Sequence, residues 1–169
     1  MNRIYNDLNE CINDVLKLAT DFATEGVNNK IGGPFGAGII QKINDNKYKI
    51  LVISRNNVIS SNDVTGHAEV NAIRKVCKML NRITLDDCIL VSTAKSCPMC
   101  LSTACWANIP IIYYGVDYSS ADASGFRDSN ILDYLAGKND SLIKEIHVKA
   151  DYCNEPFKAW EKLEDKTMY

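Results

Sequence analysis

The sequence lacks several features that would place it outside a reducing compartment. No apolar run in its 169 residues approaches membrane-spanning length, and no apolar signal segment follows the polar start Met1-Asn2-Arg3. Its seven cysteines are an odd number, which does not suit a complete disulfide framework. We therefore expect a cytoplasmic protein with reduced thiols and no membrane partner. Without a visible repeat or second domain, residues 1–169 are expected to form one domain with its own core.

The chain also lacks a cluster of lysine and arginine residues. Its formal net charge is −2. A protein that acts on tRNA or DNA normally carries a basic patch that neutralises phosphates. We therefore expect a small substrate without phosphate, and no nucleic-acid partner.

Histidine is scarce, and one of the two histidines stands in a distinctive pattern. His67 precedes Glu69 by two residues, and Cys97-Pro98-Met99-Cys100 follows about thirty residues later. A catalytic zinc site has three protein ligands and leaves its fourth position to water. Cysteines three apart share one helix face, so both thiols can reach one ion. The pattern predicts Zn²⁺ held by His67, Cys97 and Cys100, whereas His147 has no partner in sequence and is interpreted as structural.

Glu69 is the candidate general base. In a regular helix it turns away from the face of His67, toward the space beside the metal. A metal lowers the pKa of bound water toward roughly 7, and a carboxylate within reach can take that proton and pass it to a leaving group. Without the metal pattern, an ordinary surface glutamate would be the simpler interpretation.

The hydrophobic pattern predicts alternating helices and strands. Both metal clusters follow strand-to-helix or loop-to-helix junctions, which favours a site at the carboxyl edge of a sheet. The expected fold is α/β, a three-layer α/β/α sandwich with a central mixed five-stranded sheet. The predicted strands are 35–41, 47–54, 88–92, 111–116 and 143–149. The first predicted helix is 6–25, with Gly26 as its stop, and a second follows a polar loop at 55–64, with Asp63 or Thr65 as its N-cap. The remaining predicted helices are 97–108, 129–135 and 155–163, and 119–128 is a predicted loop.

The combined His-x-Glu and Cys-x-x-Cys pattern resembles the zinc-dependent nucleobase deaminases. Among these, the chain is similar to bacterial guanine deaminases of the cytidine/deoxycytidylate deaminase superfamily. The matching stretches span nearly the whole chain: Gly32-Gly33-Pro34-Phe35-Gly36-Ala37, Asn56-Asn57-Val58, Thr65-Gly66-His67-Ala68-Glu69, Cys97-Pro98-Met99-Cys100-Leu101, Trp106-Ala107, Gly125-Phe126, Asp128-Ser129 and Pro156-Phe157-Lys158-Ala159-Trp160.

This resemblance implies a single zinc-dependent deaminase domain of the cytidine deaminase-like fold, which converts guanine to xanthine and ammonia. Glu69 would carry protons, Asn56 would hydrogen-bond the purine ring, and backbone N–H groups near Ala68 would steady the tetrahedral adduct. Phe35 and Trp106 are pocket-wall candidates, with core packing as the alternative for both. The resemblance also implies a homodimer in which the C-terminal helix and tail, 156–169, swap between subunits and place Tyr169 as a lid.

Two departures from that family keep other substrates open. Lys95-Ser96 stands where the family usually has Glu-Pro. Ser120 aligns with a second acidic residue of the family, which is thought to help carry protons. Either Asp122 substitutes for that residue, or this chain has no second proton carrier. The alternatives are deamination of cytosine, guanosine or an aminotriazine, with a tRNA adenosine deaminase disfavoured by the acidic balance. A structural zinc protein is a further alternative, and it would need a fourth ligand from Cys105, His147 or Cys153.

Overall fold

A mixed five-stranded sheet lies at the centre of the computed structural model, which describes residues 3–139 and 142–167. Strands β2 (Gly36–Asn44) and β3 (Lys47–Arg55) form an antiparallel hairpin, and β2 also pairs antiparallel with β4 (Cys88–Ala94). At one edge β5 (Ile111–Val116) runs parallel to β4, and at the other the short β1 (Ile4–Tyr5) pairs with β3. The strand order is β1-β3-β2-β4-β5.

Helices cover both faces of this sheet. On one face of the sheet, α1 (Leu8–Asn28) packs against Ile40, Ile89 and Val91. Their neighbours along the strands point to the other face, because side chains alternate along a strand. On the other face α3 (Ala68–Leu80) and α4 (Pro98–Trp106) cover Ile39 and Leu90. The mixed five-stranded sheet and the helices around it confirm the predicted fold class.

The remaining elements are short. Helix α2 (Val58–Ser61) interrupts the polar segment before α3, while α5 (Tyr118–Ala123) and α6 (Asp128–Leu135) follow β5. A 3-10 turn (Asp151–Asn154) leads into α7 (Glu155–Glu161). Within the described ranges, no helix is both long and apolar enough to cross a bilayer.

Several predicted boundaries were wrong. Helix α1 continues past Gly26 to Asn28. The glycine there makes room for the Arg55 side chain, since an added Cβ would lie 2.9 Å from Arg55 Cδ. His67 itself is the N-cap of α3, whereas Asp63 accepts hydrogen bonds from the N–H and Oγ1 of Thr65.

Two predictions beyond β4 also need correction. The segment 119–128, predicted as a loop, contains most of α5, because Asp117 caps that helix by accepting from the N–H of Tyr118. The predicted strand at 143–149 has no strand partner in the described part of the chain, and β1 supplies the fifth strand instead.

Candidate active site

The three predicted zinc ligands lie at the beginnings of α3 and α4. His67 and Cys97 are the N-cap residues of these two helices, and Cys100 lies in the first turn of α4 behind Pro98. Proline suits that position because it needs no N–H there and its φ is already helical. Strand β4 ends at Ala94, close before Cys97, so the sheet sets where α4 begins.

The distances between the ligand atoms fit zinc. His67 Nδ1 lies 3.5 Å from Cys97 Sγ and 3.4 Å from Cys100 Sγ, and the two sulfur atoms are 3.5 Å apart. Tetrahedral zinc with Zn–S near 2.3 Å and Zn–N near 2.1 Å places such ligand atoms about 3.6–3.8 Å apart, within about 0.4 Å of these distances. Among the residues that the structure describes, no fourth Cys, His, Asp or Glu joins this cluster. The donor set therefore fits an ion with three protein ligands.

A hydrogen bond links the two thiols. Their hydrogen bond lowers the pKa of Cys97 and raises that of Cys100, and burial opposes ionisation of both. The hydrogen bond with Cys97 also raises the pKa of His67. Because metal ligation requires both thiolates and a neutral imidazole, metal uptake must displace protons from this cluster.

Glu69 lies in α3, two residues after the ligand that caps the helix. Its side chain is buried, with 5% of the residue exposed, and Ser92 Oγ donates to Oε1 over 3.2 Å. Burial raises the pKa of this carboxyl, since removal from water disfavours its charged form. A carboxyl that binds a proton more readily than one in water is therefore positioned beside the cluster.

A cavity of about 340 Å³ adjoins the cluster. Three of the predicted site residues besides His67 and Cys97 line it, namely Phe35, Asn56 and Glu69. Phe35 and Phe126 pack edge to face in its wall, with ring centroids 4.7 Å apart. The complete lining is Gly33, Phe35, Asn56, Val58, Ile59, Val64, His67, Glu69, Lys95, Cys97, Phe126, Arg127 and Asp128.

Asn56 is held in one orientation by the backbone. Its Oδ1 accepts from the N–H groups of Gly33 and Val58, both over 3.1 Å. Two donors on one side require the carbonyl oxygen there, so the amide Nδ2 is the group left for a ligand. Gly32 permits this arrangement, because a Cβ at that position would lie 2.4 Å from Asn56 Oδ1.

Other predicted site residues lie apart from the cavity or beside it. Trp106 is 65% exposed on the outer side of α4 and borders two surface depressions elsewhere. Asp122 accepts a hydrogen bond from Ser129 Oγ over 2.6 Å and does not line the cavity. Ala68 is fully buried next to His67, and Tyr169 lies outside the described residues.

The cavity lining also includes two charged residues that bear on the substrate, and Lys95 is one of the departures noted in the sequence. Lys95 lines the cavity, and its Nζ lies 3.3 Å from Asp117 Oδ1. Asp128 lines the cavity although no role was predicted for it. The signal available in the sequence was the acidic residue that follows Gly125-Phe126, within a stretch that already carried the family resemblance.

Comparisons with known proteins agree with this geometry. Residues 9–116 match the cytidine and deoxycytidylate deaminase zinc-binding region. The chain is 41% identical over 155 residues to a guanine deaminase of Bacillus subtilis, across 91% of this chain and 96% of the relative. A crystal structure of guanine deaminase from Bacillus subtilis superposes with a TM-score of 0.83, at 40% identity and with 93% and 98% of the two chains covered.

The chain is also similar, over a shorter stretch, to an adenosine deaminase that is specific for tRNA. A tRNA-specific adenosine deaminase of Rickettsia typhi is 31% identical over 90 residues, which is 53% of this chain and 59% of the relative. That match is confined to about half of each chain.

Proposed function

Since the chain belongs to the cytidine and deoxycytidylate deaminase family and is a zinc-dependent deaminase, we propose that it converts guanine to xanthine and ammonia. One observation carries the proposal. The buried Glu69 carboxyl and the His67/Cys97/Cys100 cluster meet at one cavity whose volume suits a single flat base. The relative that is similar over almost its full length is a guanine deaminase.

His67, Cys97 and Cys100 would hold the zinc ion. When bound, zinc supplies Lewis acidity that makes a water proton easier to remove. Glu69 takes that proton and gives it to N3 of guanine while the water oxygen forms a bond to C2. Glu69 then takes the second proton of the former water molecule and gives it to the amine at C2. The bond between C2 and this amine breaks, ammonia leaves, and the oxygen remains as the C2 carbonyl of xanthine.

The other cavity residues would orient the base. Asn56 Nδ2 donates to an acceptor on the purine ring, because Oδ1 is already engaged by two backbone N–H groups. The Phe35 and Phe126 rings provide apolar walls that exclude water from a flat ligand. Backbone N–H groups at Ala68 and Cys97, at two helix beginnings, would steady negative charge on the tetrahedral adduct.

Cytosine is a second candidate substrate, favoured by one observation. Lys95 lines the cavity where the family usually has glutamate, and this changes the charge of the rim. A small base without phosphate remains favoured over tRNA, because the net charge of −2 opposes binding to a polyanion.

A substrate panel tests the proposal. The purified zinc-loaded protein would be incubated with guanine, cytosine, guanosine, adenine and aminotriazines, with ammonia as the readout and chromatography to identify products. We expect xanthine from guanine, at a higher kcat/KM than for any other compound. A protein that leaves guanine unchanged but deaminates cytosine would retain the mechanism and overturn the substrate assignment.

The assembly would be a homodimer in which 156–169 of each chain close the partner's cavity. The support is a set of large apolar side chains that are exposed in the single chain: Ile111, Val116, Ile143, Ile146, Val148 and Phe157. Exposed apolar surface of this extent marks an interaction site. Light scattering is expected to give twice the 18.8 kDa of one chain, and a monomer at all concentrations would contradict the dimer.

A reducing compartment such as the cytoplasm would suit this site. All seven cysteines carry free thiols, and zinc ligation requires Cys97 and Cys100 to stay unoxidised.

A further inference from the structure

The turn between β4 and the first zinc cysteine consists of two residues. Lys95 and Ser96 connect the end of β4 to Cys97, the N-cap of α4. Serine leaves its own φ free, whereas the ring of a proline fixes it. Ser96 is 6% exposed, and within the part of the chain that the structure describes its Oγ has no hydrogen-bond partner. The Ser96 side chain therefore does not restrain this turn.

The segment around the end of β5 holds the turn instead. The N–H of Lys95 donates to the carbonyl oxygen of Val116 over 2.8 Å, just beyond the last paired residues of β4 and β5. Tyr118 is the first residue of α5, and its hydroxyl donates to the carbonyl oxygen of Ser96 over 2.7 Å. Burial raises the pKa of Tyr118, so the hydroxyl keeps its proton and remains a donor. A side chain of another element thus fixes the carbonyl of Ser96.

This hydrogen bond acts on the peptide group that leads into Cys97. The C=O of Ser96 and the N–H of Cys97 belong to one planar unit, so fixing the carbonyl oxygen also fixes the direction of the N–H. The first N–H groups of a helix have no partner within that helix, and Cys97 stands at the start of α4. A hydrogen bond to the carbonyl also polarises the peptide and strengthens its N–H as a donor. The direction and strength of the Cys97 N–H therefore depend on Tyr118.

A second contact keeps Tyr118 beside the turn. The Nζ of Lys95 lies 4.9 Å from the centroid of the Tyr118 ring and 5.6 Å from that of the Tyr114 ring, and it pairs with Asp117. A cation over an aromatic ring is attracted by the electrons of its face. In residues 3–139 and 142–167, the Tyr114 hydroxyl makes no hydrogen bond. Both tyrosines therefore face the same ammonium group, but only Tyr118 also bonds the turn.

We infer that Tyr118 is a positioning residue for the active site, because its hydroxyl orients the peptide between Ser96 and Cys97. The inference rests on the proposed deaminase function, in which the Cys97 thiol binds zinc and the Cys97 N–H steadies the tetrahedral adduct. Negative charge on the substrate develops on the way to that adduct. A misdirected N–H therefore lowers kcat and leaves KM nearly unchanged. A displaced thiol binds zinc less tightly.

A purely structural role for Tyr118 makes a different prediction. If the hydroxyl only stabilised α5, its removal would lower the free energy of unfolding, while zinc release and kcat of the folded protein would stay the same. Proline at position 96, the residue usual there in the family, restrains the same turn through its ring and needs no hydrogen bond. Ser96→Pro should therefore compensate for the lost hydroxyl only if that hydroxyl acts on the turn.

The experiment compares five zinc-loaded proteins: the wild type, Tyr118→Phe, Ser96→Pro, the double variant and Tyr114→Phe. Tyr114→Phe is the matched control, since it removes a hydroxyl from the other ring beside Lys95. The rate of zinc transfer to an excess of a chromogenic chelator is measured without substrate. The kcat and KM for guanine are measured separately.

We expect Tyr118→Phe to release zinc about 3- to 10-fold faster and to lower kcat by about 3- to 10-fold, the range for one neutral hydrogen bond. Its KM should change by less than about 2-fold, as should every value for Tyr114→Phe. In the Ser96→Pro background, the same substitution should change both rates by less than about 2-fold. Unchanged zinc release and kcat in Tyr118→Phe, or equal losses with and without Ser96→Pro, would overturn the inference.

The zinc measurement separates this inference from the substrate assignment. If the wild type leaves guanine unchanged while Tyr118→Phe accelerates zinc release, the assignment of guanine is overturned and the positioning of Cys97 is supported. If the wild type deaminates guanine and Tyr118→Phe behaves like Tyr114→Phe, the inference alone is overturned.

Discussion

Glu69 combines burial with access to a ligand. Its carboxyl lines the cavity, yet it is 5% exposed and is held by Ser92. Burial raises its pKa, so this carboxyl binds a proton more readily than one in water. The general-base role was predicted from the spacing between His67 and Glu69. The burial of Glu69 gives that role a physical basis, and kinetics can test it.

Replacing Glu69 with glutamine should separate chemistry from metal binding. The amide keeps the shape and cannot carry the proton, so we expect kcat for guanine to fall by at least about 100-fold. Zinc content should stay unchanged, because Glu69 is outside the ligand cluster. Steady-state kinetics and metal analysis would be compared with Glu10→Gln, at an exposed site on α1. Full turnover by the Glu69 variant would remove it from the mechanism.

Two cysteines on α4 allow a matched test of the zinc ligands. Cys100 is buried in the cluster, whereas Cys105 is exposed five residues later. A serine hydroxyl does not ionise near pH 7, so Cys100→Ser should lose zinc and deaminase activity together, and Cys105→Ser should keep both. Metal analysis after dialysis measures this difference. Retained zinc in Cys100→Ser would contradict the ligand assignment.

The raised pKa of His67 gives the metal-free protein a distinct pH dependence. A folded-state pKa above the unfolded value stabilises the fold below about pH 6.5, and this contribution is lost as the pH rises through the folded pKa. Zinc requires the neutral imidazole and therefore binds more tightly at higher pH. We expect the difference in Tm between zinc-loaded and metal-free protein to grow from pH 5.5 to pH 8 in calorimetry. A constant difference would contradict the displacement of protons from the His67/Cys97/Cys100 cluster by zinc.

Among the elements, strand β4 connects the core to the site. Its residues alternate between the two faces of the sheet, and it ends close before the first zinc cysteine. Parallel pairing with β5 on one side and antiparallel pairing with β2 on the other fix its position. Loss of packing along β4 should therefore affect both the stability of the domain and the geometry of α4.

Leu90 offers a test of that packing. It is fully buried between β4 and the α3/α4 layer, so Leu90→Ala should lower the free energy of unfolding by about 2–5 kcal/mol. Leu135→Ala, at a residue 64% exposed, should change it by less than about 0.5 kcal/mol. Urea unfolding of the zinc-loaded proteins measures both. Equal effects would mean that Leu90 does not pack in the core.

Elements with a strong local pattern could be predicted from the sequence, and those that depend on distant partners could not. The β2/β3 hairpin and β5 were predicted within a few residues, because alternating apolar residues and turn residues are local signals. Strand β1 has two residues and forms only because β3 is beside it. The opposite error occurred at 143–149, where the pattern suits a strand but no strand lies beside it in the described chain.

The same distinction applies to the site. His67, Cys97 and Cys100 are recognisable from the combined His-x-Glu and Cys-x-x-Cys motifs, and one helical turn brings the two cysteines together. Asp128, the first residue of α6, lines the cavity, although its only signal in the sequence was its place in a stretch that carries the family resemblance. Trp106 shows the converse, since its position in a matching motif did not predict that it faces outward.

For the whole molecule, family membership and site geometry lead to one chemical account. The chain matches a guanine deaminase over almost its entire length, and the same fold brings three zinc-compatible donors and a buried carboxyl to one cavity. A structural zinc protein would need a fourth protein ligand. Cys105, His147 and Cys153, the residues considered for that role, do not join the cluster.

X-ray absorption at the zinc edge of the purified, metal-loaded protein tests the central claim most directly. The account predicts two sulfur ligands near 2.3 Å, one imidazole nitrogen near 2.1 Å and one exchangeable oxygen, and it predicts that a purine ligand alters that oxygen. Four protein ligands that do not change when a purine is added would contradict a catalytic site and would identify the metal as structural.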